Sequence, residues 1–261
     1  MGINIHGLRL LVEAWARHGD FGDVLQLGRQ GMVVPDEELP VACKLFSMKG
    51  LGDYRERVGT TAWADERLLP ALGARRMVAA DASPFEGARF VHDFNEPIPV
   101  ETHQTFDTVL DGGALEHIFN VPVALANLMN ALRVGGRLIF INAANDQLGH
   151  GFYQFGPDFA FRVFGAANGF SASVFLAPRN ALPRLIRLQD VGAAGRRQEI
   201  GRTGVATYLM VIAVKQEHVV PFRRWPQQGD YAATWSRFRA RDQRRADETP
   251  IPPRAQQQPE N

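Results

Sequence analysis

The sequence predicts an α/β fold built on an open, mostly parallel sheet, and three observations carry that expectation. Short apolar runs that each end in an acid recur in the first half of the chain: Arg76 to Ala80 into Asp81, Ala88 to His92 into Asp93, and Thr108 to Leu110 into Asp111. A helical stretch and the Gly135-Gly136 turn then separate the third run from a fourth, Arg137 to Ile141. Strands alternating with helices in this way form parallel sheets. Ligands of such sheets lie beyond the carboxyl ends of the strands, so acids at those ends would line one cleft.

Leu8, Leu11, Val12 and Trp15 recur at helical spacing before Gly19, which predicts an amphipathic first helix. Asp23 to Leu27 reads as a buried first strand closed by a turn at Gly28. From residue 32 to 73 the text becomes proline, glycine and charge with short helical pieces such as Trp63 to Leu72, a helical insertion after the first strand. It can cover the cleft as a lid or simply bury sheet surface. Asn120 and Pro122 open a helix with Leu125, Leu128, Met129 and Leu132 on one face. Gly156-Pro157 opens another, whose Phe159, Phe161 and Phe164 suit a core or a substrate wall. Ala206 to Val214 is a continuous apolar run, the mark of a buried late strand. Residues 242–261 hold almost no apolar side chains and so cannot offset their ordering entropy by burial, which predicts a disordered tail after a single domain spanning 1–241.

Composition bounds the function. A chain of 261 residues with 45% apolar content can bury one full α/β core. The 29 basic residues against 28 acids leave no chain-wide footprint for nucleic acid. A lone cysteine, Cys43, excludes an internal disulfide framework and a cysteine-rich metal site, and is expected as a small buried residue. No run is long enough to span a bilayer, and the first residues lack a signal-peptide pattern, so a cytoplasmic protein is expected. Nothing here fixes an oligomeric state.

The order strand, acid, strand, acid, strand, Asp-Gly-Gly, helix, Gly-Gly, strand resembles a class I S-adenosylmethionine-dependent methyltransferase over roughly residues 23–215. Phe106-Asp107-Thr108-Val109 followed by Leu115-Glu116-His117 is the strongest local match. The resemblance implies a doubly wound, seven-stranded sheet with a late strand antiparallel near the edge, and S-adenosylmethionine as cofactor. It implies methyl transfer to a small-molecule or glycan-type acceptor, on oxygen. Gly28 would lie at the methionine end of the cofactor, Asp81 on the ribose, Asp93 and Phe94 at the adenine, and Asp111 and Gly112 beside the methionine part and methyl group. Asp81 with Ser83 also reads as a helix N-cap, and Asp93 before Asn95-Glu96-Pro97 as a turn. The chain departs from the family's acid and Gly-x-Gly-x-Gly turn by offering Gln26 and then Gly28, Arg29, Gln30 and Gly31, which narrows the approach to backbone. A fold that has lost its ligand would leave a non-catalytic binding or scaffold module. A nucleotide-dependent oxidoreductase is disfavoured, because no Gly-x-Gly-x-x-Gly follows a strand.

Two histidines are candidate catalytic bases, since an imidazole titrates near neutrality and can take the proton of an acceptor hydroxyl. His117 follows the third acid-ended strand, and His150 follows the fourth strand in the run His150-Gly151-Phe152-Tyr153-Gln154-Phe155. Tyr153 and Gln154 of that loop are candidate substrate contacts for a polar ring, with core plugging as the other reading of its aromatics. Quinone-pathway O-methyltransferases carry a Glu-x-x-Glu-His metal run. Here Gly113 replaces the first acid, so no metal is expected.

Overall fold

Alternating apolar side chains decide the layering. Along the central strands Leu25, Leu27, Val109, Leu138 and Phe140 face one core, while Val24, Leu110, Ile139 and Ile141 face another. A period of two puts successive side chains on opposite faces, so a sheet apolar on both sides must be covered on both.

The computed structural model describes residues 2–179, 183–201 and 203–248. The elements are β1 (Gly2–Ile3), α1 (Ile5–His18), β2 (Gly22–Leu27), β3 (Gly31–Met32), α2 (Leu39–Met48), α3 (Tyr54–Arg57), α4 (Leu68–Ala71), β4 (Ala74–Asp81), β5 (Phe90–Val91) and β6 (Phe106–Asp111). There follow α5 (Val121–Ala131), β7 (Leu132–Asn145), α6 (Pro157–Val163), β8 (Phe170–Pro178), β9 (Ile186–Arg187), β10 (Thr207–Lys215) and α7 (Gly229–Glu248). Helices α1 to α4 cover one face of the sheet, and α5 and α6 the other.

The main sheet has eight strands in the order β5-β4-β2-β6-β7-β10-β8-β9, rather than the seven expected. The additional strand is β9, two residues paired with the edge of β8. Strands β5, β4, β2, β6 and β7 are mutually parallel, and β10 is the expected late antiparallel strand, inserted between β7 and β8. The predicted strand over 88–92 shrinks to Phe90–Val91. Between β2 and β4, where a helical insertion was read, lie β3 and three short helices whose Phe46, Tyr54, Leu68 and Leu69 are buried in one core cluster with α1.

Two expectations need correction. Cys43 is only half-buried, packed at the margin of the core that α2 enters through Ala42 and Phe46. Helix α7 runs to Glu248, so the start of the expected tail at residue 242 is helical. Past the exposed stripe of Tyr231, Trp235 and Phe238, its alanine, arginine, glutamine and glutamate content is helix-forming by propensity. The first turn is anchored by Gly229 donating to Asp158 at 2.8 Å and by an Arg197–Asp230 ion pair at 2.7 Å. Residues 249–261 lie outside the described ones.

Topology places the cleft. The chain moves outward from β2 through β4 to β5, then returns to β6 on the other side of β2. Ligands of open α/β sheets bind at such a reversal, beyond the carboxyl ends of the two flanking strands. Here those ends are Leu27 and Asp111. Buried cations hold the frame: Arg137 donates to the carbonyls of His18, Gly19 and Asp20 at 2.6–3.0 Å, and Lys215 to those of Met129 and Leu132 at 2.7 Å.

Candidate functional site at the strand-order reversal

Beyond β2 the backbone turns at Gly28, whose φ of 68° suits glycine, and the Gly28 N–H donates to the Ala80 carbonyl at 2.7 Å. Gln30, where the resembled pattern has its second glycine, is wholly buried and folds back. Its Nε2 donates to the carbonyls of Leu27 and Gly28 at 3.0 and 3.1 Å, while its Oε1 has no partner. The amide lies against Gly112, where any Cβ would collide with it. Gly112 thus faces Gln30 across the reversal. Gln26, at the position of the family acid, is also wholly buried, with neither amide atom partnered. A buried polar group without a partner costs about 1–3 kcal/mol and marks a place suited to a polar ligand.

Arg29 fixes the outer side of this turn. Its guanidinium stacks 4.6 Å over Trp63, pairs with Asp65 at 3.0 Å and reaches the Glu86 carbonyl at 3.5 Å. The three anticipated cofactor acids differ in setting. Asp81, half-buried at the end of β4, accepts the Ser83 N–H at 3.2 Å, as a turn cap does. Asp93 is exposed and holds the backbone and side-chain amides of Asn95 at 2.9 and 2.8 Å, which keep its pKa below the ordinary value. Phe94 is buried beside Phe90 and His92 in the core. Asp111 is wholly buried, accepts the Ala114 and Leu115 N–H groups at 2.8 and 3.3 Å and the Asn142 amide at 2.5 Å, and burial pushes its pKa up to about 7.

Asn142 links this cap to the mouth of the cleft. Its Oδ1 accepts the Glu116 N–H at 3.2 Å. The Glu116 side chain is 4% exposed; its Oε2 accepts the Ala143 N–H, and its Oε1 lies 3.0 Å from His150 Nε2 and 3.7 Å from His117 Nε2. Both anticipated histidines thus converge on one buried carboxylate, with ring centroids 5.5 Å apart. Burial raises the Glu116 pKa against its hydrogen bonds, and burial beside His150 lowers that of His117. One ligand atom from each of the three side chains lies within 4.8 Å of the others, a set able to hold a metal ion. Tyr153 and Gln154 lie on the same loop, the Tyr153 hydroxyl donating to the Phe119 carbonyl at 2.8 Å and the Gln154 carbonyl accepting the Gln147 N–H at 3.2 Å. Phe119 and Phe152 form an exposed edge-to-face pair beside them.

Sequence reasoning missed three of these residues. Glu116 stood next to His117 in the matched run, yet its importance depends on the approach of His150 from another strand. Gln30 was read as a missing glycine rather than as an amide that fills the turn, and Asn142 offered no signal beyond a polar residue in an apolar strand.

Comparison with protein-family models and with curated proteins finds no match for this chain. Among solved structures, the YcgJ protein of Bacillus subtilis is similar over 81% of this chain and 99% of its own, at 11% identity and a TM-score of 0.43. The N-methyltransferase NodS of Bradyrhizobium japonicum, in complex with S-adenosyl-L-homocysteine, is similar over 81% of this chain and 88% of its own, at 12% identity and a TM-score of 0.41. Likeness at this level assigns no activity.

Proposed function

We propose that the protein is an enzyme that binds S-adenosylmethionine at the β2/β6 reversal and transfers its methyl group to an oxygen of a small-molecule or glycan-type acceptor. One observation carries the reading: buried amide atoms lacking partners at the reversal and a Glu116–His150 pair at the mouth share the same carboxyl edge of the sheet. The residues present fit the cofactor. The unpartnered Gln30 Oε1 is an acceptor suited to an α-ammonium, and the Asp81 carboxylate ends β4 where a ribose diol can be held. Gly28, Asp93, Phe94, Asp111 and Gly112 complete the proposed cofactor site, Asp111 by shaping the turn that carries Gly112 to Leu115.

The cofactor supplies an already activated methyl on a positively charged sulfur, so the protein's work is positioning. His150, its Nε2 3.0 Å from the buried Glu116 carboxylate, takes the acceptor's hydroxyl proton, and the carboxylate stabilises the imidazolium that results. His117 is the second candidate base. Tyr153, Gln154 and the exposed Phe119 and Phe152 give the mouth a polar and aromatic rim for a ring-shaped acceptor. Segment 32–73 acts as an added cap on one face of the sheet.

Calorimetry with S-adenosylhomocysteine tests the reading. A dissociation constant of micromolar or tighter, about −8 kcal/mol, is expected. No heat and no thermal shift at millimolar ligand would leave the second reading, a scaffold protein without cofactor, which the filling of the turn by Gln30 favours. Gln30→Ala separates the two roles of that amide: it weakens binding where Gln30 is an acceptor for the ligand, and strengthens it where the amide is a plug.

A further inference from the structure

The geometry points to a divalent transition-metal site formed by Glu116, His117 and His150. A tetrahedral ion with ligands about 2.1 Å away holds them about 3.4 Å from one another. The observed separations from Glu116 Oε1 are 3.0 Å to His150 Nε2 and 3.7 Å to His117 Nε2. These two separations lie within a few tenths of an ångström of that spacing, the three ligand atoms all lie within 4.8 Å of one another, and both rings already turn the same nitrogen toward the same oxygen.

The three groups are held from behind. Glu116 is fixed through its carboxylate by the Ala143 N–H and through its own N–H by Asn142, whose amide in turn donates to Asp111. The loop carrying His150 is stapled to the same residue, since Phe152 and Tyr153 donate to the Glu116 carbonyl at 2.8 and 3.2 Å. Gly151 permits that approach: a Cβ there would stand 2.7 Å from the Glu116 carbonyl oxygen and 3.2 Å from His117 Nδ1. Hydrogen-bonded supports of this kind orient metal ligands and set their affinity.

Charge and exposure fit an ion better than a closed structural cluster. Among the described residues the ion-pair partners of Glu116 are the two imidazoles, with no lysine or arginine near it. A buried carboxylate needs a counter-charge. The histidine side chains are 41% and 50% exposed against 4% for Glu116, so an ion held between them keeps coordination positions open to solvent. Two imidazoles with one carboxylate select zinc and its first-row neighbours over magnesium or calcium, which prefer oxygen. The site stands whether or not the chain transfers methyl groups; in the ion-free protein the same histidines remain available as bases.

The test uses the full chain, stripped with a chelator and dialysed, then titrated calorimetrically with Zn²⁺ and separately with Mg²⁺. One equivalent of Zn²⁺ is expected, with no saturable Mg²⁺ binding. His117→Ala, His150→Ala and Glu116→Gln should each weaken Zn²⁺ binding at least tenfold, while His218→Ala, at an exposed histidine elsewhere, leaves it unchanged. Thermal melts of the variants confirm folding, which the two half-exposed histidines should not disturb. Absence of saturable Zn²⁺ uptake, or uptake equal in wild type and in both histidine variants, overturns the site. Binding of S-adenosylhomocysteine, measured on the same stripped protein, reports separately on the methyl-transfer reading.

Discussion

Asp111 offers a test that needs no substrate. Burial raises its pKa to about 7, against an ordinary aspartate value near 3.9 in the unfolded chain. Between those values the folded protein holds a proton that the unfolded chain has released, so stability is greatest at low pH and is lost as pH rises through about 7. Integrating one such group between pH 5 and pH 8 gives a loss of roughly 2–3 kcal/mol. Glu116, also raised by burial, adds in the same direction. His6, His18 and His117 are lowered by burial and oppose it up to about pH 6.5, while Glu13, lowered against burial by Arg17 and Lys49, and Asp107, lowered against burial by the Asp23 N–H and Arg133, act only as pH falls through the carboxylate range. The informative quantity is therefore a difference. In Asp111→Asn the site is neutral at every pH and keeps an oxygen for the Ala114 and Leu115 N–H groups, but its amide now faces that of Asn142. The variant should be less stable than wild type at pH 5 by about 1 kcal/mol, and the gap should close or reverse by pH 8. Urea unfolding at half-unit steps measures both curves. Parallel curves across that range would mean that the three donors keep Asp111 ionised throughout, and the desolvation argument would fail.

Asp81→Ala should weaken S-adenosylhomocysteine binding by roughly 1.5–3 kcal/mol by calorimetry; unchanged affinity with a loss of stability would make Asp81 a turn cap only. His150→Ala should lose about 10²–10⁴ in single-turnover methylation of an identified acceptor while cofactor affinity stays the same, and full turnover would show that positioning alone suffices. Gly151→Ala should push the His150 loop off Glu116, because its Cβ would stand 2.7 Å from a backbone oxygen; an unaltered His117–His150 proximity by NMR would contradict this.

What could be read from the sequence, and what could not, follows the range of the forces involved. The apolar runs of β2, β4, β6 and β7, the helix opened by Pro122 and the helix opened by Pro157 were legible because periodicity and proline chemistry act within a few residues. Strand β9 was not, since two exposed residues, Ile186 and Arg187, become a strand only through the β8 edge that receives them. Helix α7 was not read at all, and its last residues were taken for a tail, because apolar content alone was weighed. Its residues need no core when Asp158 and Arg197 fix the first turn and the remaining composition favours the helix.

The candidate site divides along the same line. Acids at strand ends are visible in a sequence, but what each one does depends on which donors reach it. Asp93 is claimed by Asn95, two positions on, and Asp111 by two N–H groups three and four positions on; these local partners could be anticipated from turn and cap chemistry. The partner that changes Asp111 most in character is remote: Asn142, from β7, joins it to Glu116 and so to two histidines 33 positions apart. That chain of contacts runs from the floor of the strand-order reversal to the solvent-facing mouth. The Glu116 carboxylate accepts the N–H of Ala143, the residue next to Asn142, and the Glu116 N–H donates to Asn142 itself, so a change of charge on Glu116 is expected to reach the cap that holds Gly112 against Gln30. The link is direct enough to measure: stability curves of Asp111→Asn, repeated with Glu116→Gln, should deviate from additivity by 0.5 kcal/mol or more, as residues of one hydrogen-bonded network do, and strict additivity would separate the floor of the cleft from its mouth.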